Sequence, residues 1–117
     1  MKVIVYAYQN CDTCRRALKF LEARGVRPTV IPIREQPPTL AELRLMLTIY
    51  QGDLKRLFNT SGRDYQALGL KDKLTGMTVD SALLLLSQNG NLVKRPFLLA
   101  GERGRVGFVA AEWEELI

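Results

Sequence analysis

The sequence predicts an α/β fold whose mixed four-stranded sheet carries helices on both faces. A run of β-branched and aromatic residues over positions 2–8 is apolar on both sides, as in a central strand. An amphipathic helix and a second apolar run complete a strand–helix–strand unit by position 33. A largely helical middle follows, and then a helix, two strands and a last helix. The predicted order is therefore βαβ, a helical insertion and αββα.

The first helix is predicted over residues 12–24 from the spacing of its apolar side chains. These occupy positions i, i+3, i+4 and i+7 and are Cys14, Ala17, Leu18 and Leu21. Gly25 is placed to end the helix in the left-handed conformation. The pattern therefore assigns Cys14 to the buried stripe and leaves Cys11 at the exposed start of the helix.

The second strand and the next helix are indicated by a proline and by a capping motif. Pro32 has no N–H for the sheet ladder, so the strand over residues 28–33 belongs near a sheet edge. Thr39 and Glu42 form a capping box, in which each residue satisfies a free N–H group at the start of a helix. Gly52 is the expected end of that helix.

The rest of the insertion is predicted to be helical. Short helices are expected over residues 53–58, 63–70 and 71–74, with a polar turn at 59–62. Thr78 caps a longer helix that runs through Asn89. The main apolar stripe of this helix includes Val79. Leu84 lies outside the stripe and makes the helix apolar nearly all round, so we expect the helix to be well buried.

The last part of the chain predicts a hairpin and a closing helix. A strand begins after Pro96 and reaches Ala100. A turn at residues 101–104 joins it to a strand over residues 105–108. An apolar and acidic segment over residues 110–117 forms the final helix.

The composition excludes several classes of function. The chain has 117 residues, which fits one domain spanning 1–117, and its net charge of +5 comes from scattered basic residues. We expect no direct nucleic-acid binding and, with no apolar run of about 18 residues, no membrane span. Two cysteines and no histidine cannot supply the usual ligands of a structural zinc. Without an apparent signal peptide, we expect a cytoplasmic protein. We also expect it to be a monomer with no bound cofactor.

Cys11 and Cys14 form a Cys-x-x-Cys motif between the first strand and the first helix. The first turn of a helix presents free N–H groups and the positive end of the dipole, which stabilise a thiolate. Arg15 and Arg16 add positive charge nearby. This context predicts redox chemistry in which Cys11 attacks and Cys14 resolves the mixed disulfide. A structural disulfide and a pair of inert buried cysteines remain the alternatives.

Several motifs resemble the arsenate reductase ArsC / Spx / MgsR family, and its YffB-type branch in particular. They are Tyr-x-Asn-Cys-Asp-Thr-Cys, Asn59-Thr60-Ser61-Gly62, Tyr65 with Leu68-Gly69-Leu70, Arg95-Pro96 and Val106-Gly107-Phe108. Their order and spacing agree over essentially the whole chain. The resemblance implies a thioredoxin-like fold with a helical insertion. It also implies a catalytic N-terminal cysteine, here Cys11, with reduced glutathione and glutaredoxin returning the electrons.

Arg95-Pro96 is the second part of the predicted site. Cis X-Pro bonds are a small minority in folded proteins, but in the thioredoxin architecture the strand that faces the Cys-x-x-Cys helix starts with one. In that arrangement Arg95 points at Cys11, where it lowers the thiol pKa and binds an oxyanion. The alternative is an edge-strand proline that follows a solvated arginine.

The sequence departs from the family's oxyanion site. The resemblance implies three arginines around the oxyanion, of which Arg95 matches one, while Asn59 and Phe108 stand at the other two positions. Losing two guanidiniums removes much of the charge-assisted hydrogen bonding to arsenate. Arg63 and Arg105 are the candidates to replace them. The expected substrate-binding residues are Asn59, Arg63, Pro96 and Arg105.

Two functions follow from these residues. The first is an ArsC-like thiol–disulfide oxidoreductase that depends on glutathione or glutaredoxin. The alternative is a redox-sensing transcriptional regulator of the Spx/MgsR type, which binds the C-terminal domain of the RNA polymerase α-subunit. Gly52 falls near the glycine that Spx uses for that contact, although helix termination alone also explains it.

Overall fold

The computed structural model describes residues 2–117 and contains one mixed sheet of four strands. The strands are β1 (Val3–Ala7), β2 (Thr29–Pro32), β3 (Phe97–Ala100) and β4 (Arg103–Val106). Their order across the sheet is β2-β1-β3-β4. β1 pairs parallel with β2 and antiparallel with β3, and β3 pairs antiparallel with β4. The predicted mixed sheet is confirmed, as is the position of β2 at its edge.

The helices follow the predicted order. The α-helices are α1 (Asp12–Ala23), α2 (Leu40–Ile49), α3 (Arg63–Ala67), α4 (Leu70–Lys73), α5 (Val79–Gln88) and α6 (Ala110–Leu116). Short 3₁₀ segments span Leu54–Leu57, Leu74–Gly76 and Gly90–Leu92. Among residues 2–117, no helix combines the length and the apolar character that crossing a bilayer requires.

The sheet separates two apolar cores, because successive side chains of a strand point to opposite faces. On one face, Val3 and Val5 of β1 pack in a cluster with Leu21 of α1 and Trp113 of α6. On the other face, Tyr6 packs in a cluster that includes α2, α5 and apolar residues of the helical insertion between them. A central strand that is apolar on both sides therefore has helices on both faces, as predicted.

Two local signals position the chain around β1. Gly25 has a φ of +72° and ends α1 in the predicted left-handed conformation. The predicted capping box is also present, since the Glu42 N–H donates to Thr39 Oγ1 and the Thr39 N–H donates to Glu42 Oε1. Tyr6 donates its hydroxyl to the same Glu42 oxygen at 2.7 Å, which ties the start of α2 to the sheet.

The β3–β4 hairpin differs from the prediction. Arg103 already pairs with Ala100, so the turn consists of residues 101 and 102, and β4 ends at Val106. The predicted turn at 101–104 and strand at 105–108 are therefore wrong by two residues. Gly104 is a strand residue that pairs with Leu99. A Cβ there would lie 2.7 Å from the Leu98 carbonyl oxygen and 2.8 Å from Met46 Cε, so the position has no room for a side chain. Its glycine serves a close approach rather than a turn.

The burial of α5 also differs from the prediction. Leu83 and Leu86 are completely buried, but Val79 and Leu84 are 43% and 46% exposed. The cluster that includes α2 takes in one face of α5 and leaves the other face exposed. The expectation that α5 is buried all round is therefore wrong.

Candidate active site

Cys11 lies where the chain passes from β1 into α1. Its N–H donates to the Tyr8 carbonyl at 3.0 Å and closes the turn between the two elements. Cys11 is the N-cap of α1, with φ −97° and ψ 116°, and its Sγ accepts the Cys14 N–H at 3.4 Å. A sulfur thus takes the place of the oxygen that usually caps a helix. The first turn of α1 is directed at this thiol.

The surroundings of Cys11 favour its thiolate. Burial by itself raises the pKa of Cys11, but the backbone N–H and the thiol of Cys14 both donate to its sulfur and lower it. The positive charge of Arg95 and the N–H of Thr13 act in the same direction. The net result is a pKa below the ordinary cysteine value, which enriches the nucleophilic form near neutral pH.

Cys14 has the opposite environment on the buried side of the same helix. Its side chain is 1% exposed, and both cysteines are present as free thiols. Burial raises the pKa of Cys14 to about 12, and its hydrogen bond to Cys11 acts in the same direction. Cys14 therefore stays protonated near neutral pH and can donate to the Cys11 thiolate. The structure places an accessible and a buried thiol side by side, while their attacking and resolving roles stay predictions.

Arg95 reaches the same region from the start of β3. The Arg95–Pro96 peptide bond is cis, and Phe97 pairs with Tyr6 in the register between β3 and β1. The Nη1 atom of Arg95 is buried and has no hydrogen-bond partner among residues 2–117. Arg95 also lines the cavity that Cys11 lines, so its positive charge lies in the same region as the thiol.

Tyr8 connects the cysteine turn to the cations around it. The Arg34 and Arg95 guanidinium carbons lie 4.8 and 5.3 Å from its ring centroid. Asn10 donates to the Tyr8 hydroxyl at 3.2 Å, and this hydrogen bond, followed by the charges of the two arginines, lowers the pKa of Tyr8. Sequence reasoning identified neither Tyr8 nor Arg34 as a site residue.

These groups line a cavity of about 730 Å³, a volume in the range typical of small-molecule sites. Its basic residues are Arg34, Arg63, Lys94 and Arg95, and its other polar residues include Tyr8, Asn59, Ser61, Asp64 and Asn91. Cys11 opens into it. Among residues 2–117, no carboxylate lies within 4.0 Å of any of the four cations. Their charges are available to an anionic ligand.

A second groove of about 540 Å³ adjoins the first cavity, and Lys94 and Arg95 line both spaces. It also contains Arg16, Arg56 and Phe108. Asn59 and Phe108, which stand at two arginine positions of the resembled family, therefore lie in different spaces. The Phe108 ring packs edge-on against Trp113 at 5.2 Å, as an apolar side chain would.

Arg105 lies away from this region and corrects the sequence prediction for that residue. It pairs with Leu98 across the hairpin and so shares the sheet face covered by α1 and α6. Its guanidinium lies 3.8 Å from Glu112 and 3.9 Å from Glu115, and Nη1 donates to the Gly104 carbonyl at 2.7 Å. Arg105 lines neither space beside Cys11. It is a structural ion-pair residue and does not replace a missing arginine.

The other predicted binding residues have different placements. Asn59 and Arg63 both line the cavity. Pro96 is buried, and its carbonyl accepts the Gly107 N–H at 2.9 Å, so it supports the wall rather than facing a ligand. Among residues 2–117, no group of three or more His, Cys, Asp or Glu side chains is arranged to hold a metal ion. The polar groups of this cavity suit an anionic organic ligand.

Comparison with known proteins shows the same fold over the whole chain. A Bacteroides fragilis protein described as ArsC family related superposes with a TM-score of 0.93 at 38% identity, covering 100% of this chain and 98% of that one. The solution structure of SACOL0876 from Staphylococcus aureus gives 0.85 at 38% identity and 97% coverage of both chains. The fold is thioredoxin-like, as the family resemblance implies.

Proteins similar in sequence to this chain include an uncharacterized protein, an arsenate reductase and a regulatory protein. YusI, an uncharacterized protein of Bacillus subtilis, is 44% identical over 115 residues, or 98% of each chain. The arsenate reductase of Rhizobium meliloti is 28% identical over 86% of this chain and 70% of its own length. The regulatory protein MgsR of Bacillus subtilis is 25% identical over 92% and 83%. The ArsC family profile matches residues 6–116, and the chain therefore belongs to the ArsC family.

Proposed function

We propose that this protein is a thiol–disulfide oxidoreductase with Cys11 as its nucleophile and glutathione or glutaredoxin as its electron donor. One observation carries the proposal. Cys11 Sγ caps a helix start and shares a cavity with the guanidinium of Arg95, which has no carboxylate within 4.0 Å in the described chain. Both features stabilise a thiolate where a ligand can reach it. Disulfide exchange also fits a reducing compartment, so the cytoplasm remains the expected location.

The reaction is a thiolate displacement at sulfur. The Cys11 thiolate attacks one sulfur of a disulfide substrate, the substrate S–S bond breaks, and the second sulfur leaves as a thiolate. Cys11 is then held in a mixed disulfide. A thiol of Cys14 or of glutathione, once deprotonated, attacks the Cys11 sulfur of that disulfide and releases the remaining half of the substrate as a thiolate. Further glutathione thiolate then reduces the disulfide left on Cys11, so that Cys11 returns to the thiolate and oxidised glutathione leaves. Raising the pKa of Cys14 protects Cys11 from premature attack while the substrate is bound.

Arg95 is the group that holds the anionic part of the ligand. A planar guanidinium donates two parallel hydrogen bonds to a carboxylate or an oxyanion. The cavity has Asn59 rather than a second arginine from the resembled pattern. An amide lacks the charge that would offset a highly charged oxyanion such as arsenate. The carboxylates of glutathione are therefore the favoured ligands of these cations.

The test is glutathione-dependent reduction of bis(2-hydroxyethyl) disulfide, with mass spectrometry of the trapped intermediate. We expect turnover with wild-type protein, a glutathione adduct on Cys11 in Cys14→Ser, and no adduct in Cys11→Ser. Arsenate is assayed in parallel. Full turnover by Cys11→Ser, or an adduct carried only by Cys14, would overturn the proposed mechanism.

A second candidate function is a redox-sensing regulator that binds the RNA polymerase α-subunit. Similarity to MgsR favours it, together with the turn after α2, where Gly52 has a φ of +86° and an open surface. Gly52 borders a groove of about 350 Å³ that also contains Leu54 and Met77. A pull-down with the isolated C-terminal domain of the polymerase α-subunit, with and without reductant, tests this function. Binding that depends on the redox state and is lost in Gly52→Ala would favour the regulator. If the protein does not bind the polymerase domain, the enzyme is favoured.

A further inference from the structure

The cavity beside Cys11 contains a negative charge that the proposed chemistry has not used. Of the residues within 2–117 that line it, only Asp64 is acidic. Asp64 lies in the first turn of α3 and is half-buried. In the described part of the chain, no cation lies within 4.0 Å of its carboxylate. It is therefore not an ion-pair partner that neutralises the basic wall.

Two amides orient this carboxylate. Asn89 and Asn91 donate their Nδ2 groups to Oδ2 of Asp64 at 3.1 and 3.4 Å. Oδ1 accepts no hydrogen bond within residues 2–117. One oxygen is thus fixed by the protein, and the other is left for a donor that comes from the ligand.

The turn that carries the two amides has little freedom to move. Gly90 lies between Asn89 and Asn91 and packs directly on the carbonyl of Ile33, which follows β2. A Cβ on Gly90 would lie 1.8 Å from that carbonyl oxygen. The Asn89 side chain also accepts the Asn91 N–H at 3.0 Å and fixes the turn from within. The carboxylate of Asp64 is therefore held by a rigid support, as a binding group requires.

We propose that Asp64 binds the primary ammonium group of the ligand, so that the site selects a small thiol that carries both an ammonium and carboxylates. Arg34, Arg63, Lys94 and Arg95 supply positive charge for the carboxylates, and Asp64 supplies the single complementary charge for the ammonium. The proposal rests on the proposed function and deepens it. When its charged groups match the wall, a ligand of this class presents its sulfur to Cys11, as a thiol that attacks the mixed disulfide on Cys11 or as one half of a disulfide that the Cys11 thiolate attacks.

Asp64 would also lie in this position if it only stabilised the Asn89–Asn91 turn. The two roles differ in one measurable quantity, which is the preference for a ligand with an ammonium over the same ligand without it. A structural carboxylate gives no such preference. A binding carboxylate contributes a charged hydrogen bond that the deaminated ligand cannot form.

The experiment is isothermal titration of the full-length reduced protein with two unreactive probes. One is S-methylglutathione, and the other is its deaminated form, S-methyl-glutaryl-cysteinylglycine, which keeps both carboxylates. We expect wild-type protein to bind the first about tenfold more tightly, which corresponds to about 1.4 kcal/mol. Asp64→Asn should reduce this ratio to about one. The control Asp72→Asn removes an exposed carboxylate on α4 and should keep the wild-type ratio.

A second variant guards against a local rearrangement. Asp64→Ala removes the carboxylate without placing a new amide against Asn89 and Asn91, and it should also give a ratio near one. Equal affinities of wild-type protein for the two probes, or a preference retained in both Asp64 variants, would overturn the proposal while leaving the role of Cys11 intact. No binding of either probe would overturn both this proposal and glutathione as the donor.

Discussion

The cations that join elements of the fold differ from those that line the cavity beside Cys11. Arg24, Arg44 and Arg105 each lie beside a carboxylate of another element, in the ion pairs Arg24–Glu114, Arg44–Asp80 and Arg105–Glu112. Arg15 and Arg16, which follow Cys11 in the chain, pair with Asp12 within α1. The cavity cations Arg34, Arg63, Lys94 and Arg95 have no acidic partner within 4.0 Å in the described chain. Their charge is available to a ligand and to the thiolate.

The lack of a partner for one cavity cation, Arg95, has a cost in folding free energy. The buried Nη1 of Arg95 has no hydrogen-bond partner in residues 2–117, and an unmade hydrogen bond of a buried group costs about 1–3 kcal/mol. The comparison therefore separates cations that join elements of the fold from cations whose charge is available for binding.

Replacing Arg95 should have the largest effect. Arg95→Ala removes a charged hydrogen bond worth about 1.5–3 kcal/mol, so glutathione-dependent activity should fall by about 10- to 100-fold. Arg95→Lys keeps the charge but not the planar donor and should give an intermediate rate. Steady-state kinetics with the disulfide substrate measure both.

Arg105→Ala is the matched control, since it removes the same group from a position outside the cavity. Its activity should stay within about twofold of wild type, because Arg105 does not line the cavity. A loss equal to that of Arg95→Ala would contradict the distinction between ion-paired cations and cavity cations.

The remaining cavity cations should have a smaller effect, confined to binding. Lys94→Ala and Arg63→Ala should each raise the KM for glutathione about threefold, from the loss of roughly 0.7 kcal/mol per partly solvated ion pair. The kcat should change little, and added salt should reduce the difference from wild type. Lys19→Ala removes an exposed charge elsewhere on α1 and should leave the KM unchanged.

The smallest effect is expected on stability. Arg105→Ala should lower the free energy of unfolding in urea by up to about 1 kcal/mol, because its ion pairs with Glu112 and Glu115 are partly solvated. Arg63→Ala should leave the free energy of unfolding unchanged, since it breaks no ion pair in the described chain. A larger loss for Arg63→Ala than for Arg105→Ala would reverse the comparison.

The elements that depend on local sequence could be predicted, and those that depend on register could not. The apolar run before Cys11, the capping box at Thr39 and the cap at Gly25 are local signals, and the structure reproduces them. The face of β4 occupied by Arg105 depends on its pairing with Leu98, which the sequence does not specify. Residue type alone therefore suggests Arg105 as a site residue, and the register places it elsewhere.

Most residues of the cavity wall could not be predicted from the sequence either. Cys11 and Arg95 could be placed together because a family resemblance supplied the fold. Arg34, Asp64 and Asn91 come from three separate loops or helix starts, and only tertiary packing brings them together. Their signal in the sequence is weak, since single polar residues in loops are common.

The pKa of Cys11 tests most directly whether α1 and Arg95 hold this thiol ionised. The rate of iodoacetamide labelling of Cys11, followed by mass spectrometry across pH, reports the thiolate, so it rises with pH through the pKa and then levels off. A lowered pKa moves the midpoint to lower pH. We predict a midpoint below the ordinary value of about 8.5 in wild-type protein and a higher one in Arg95→Ala. A wild-type midpoint at or above about 8.5, or one that Arg95→Ala leaves unchanged, would contradict this prediction.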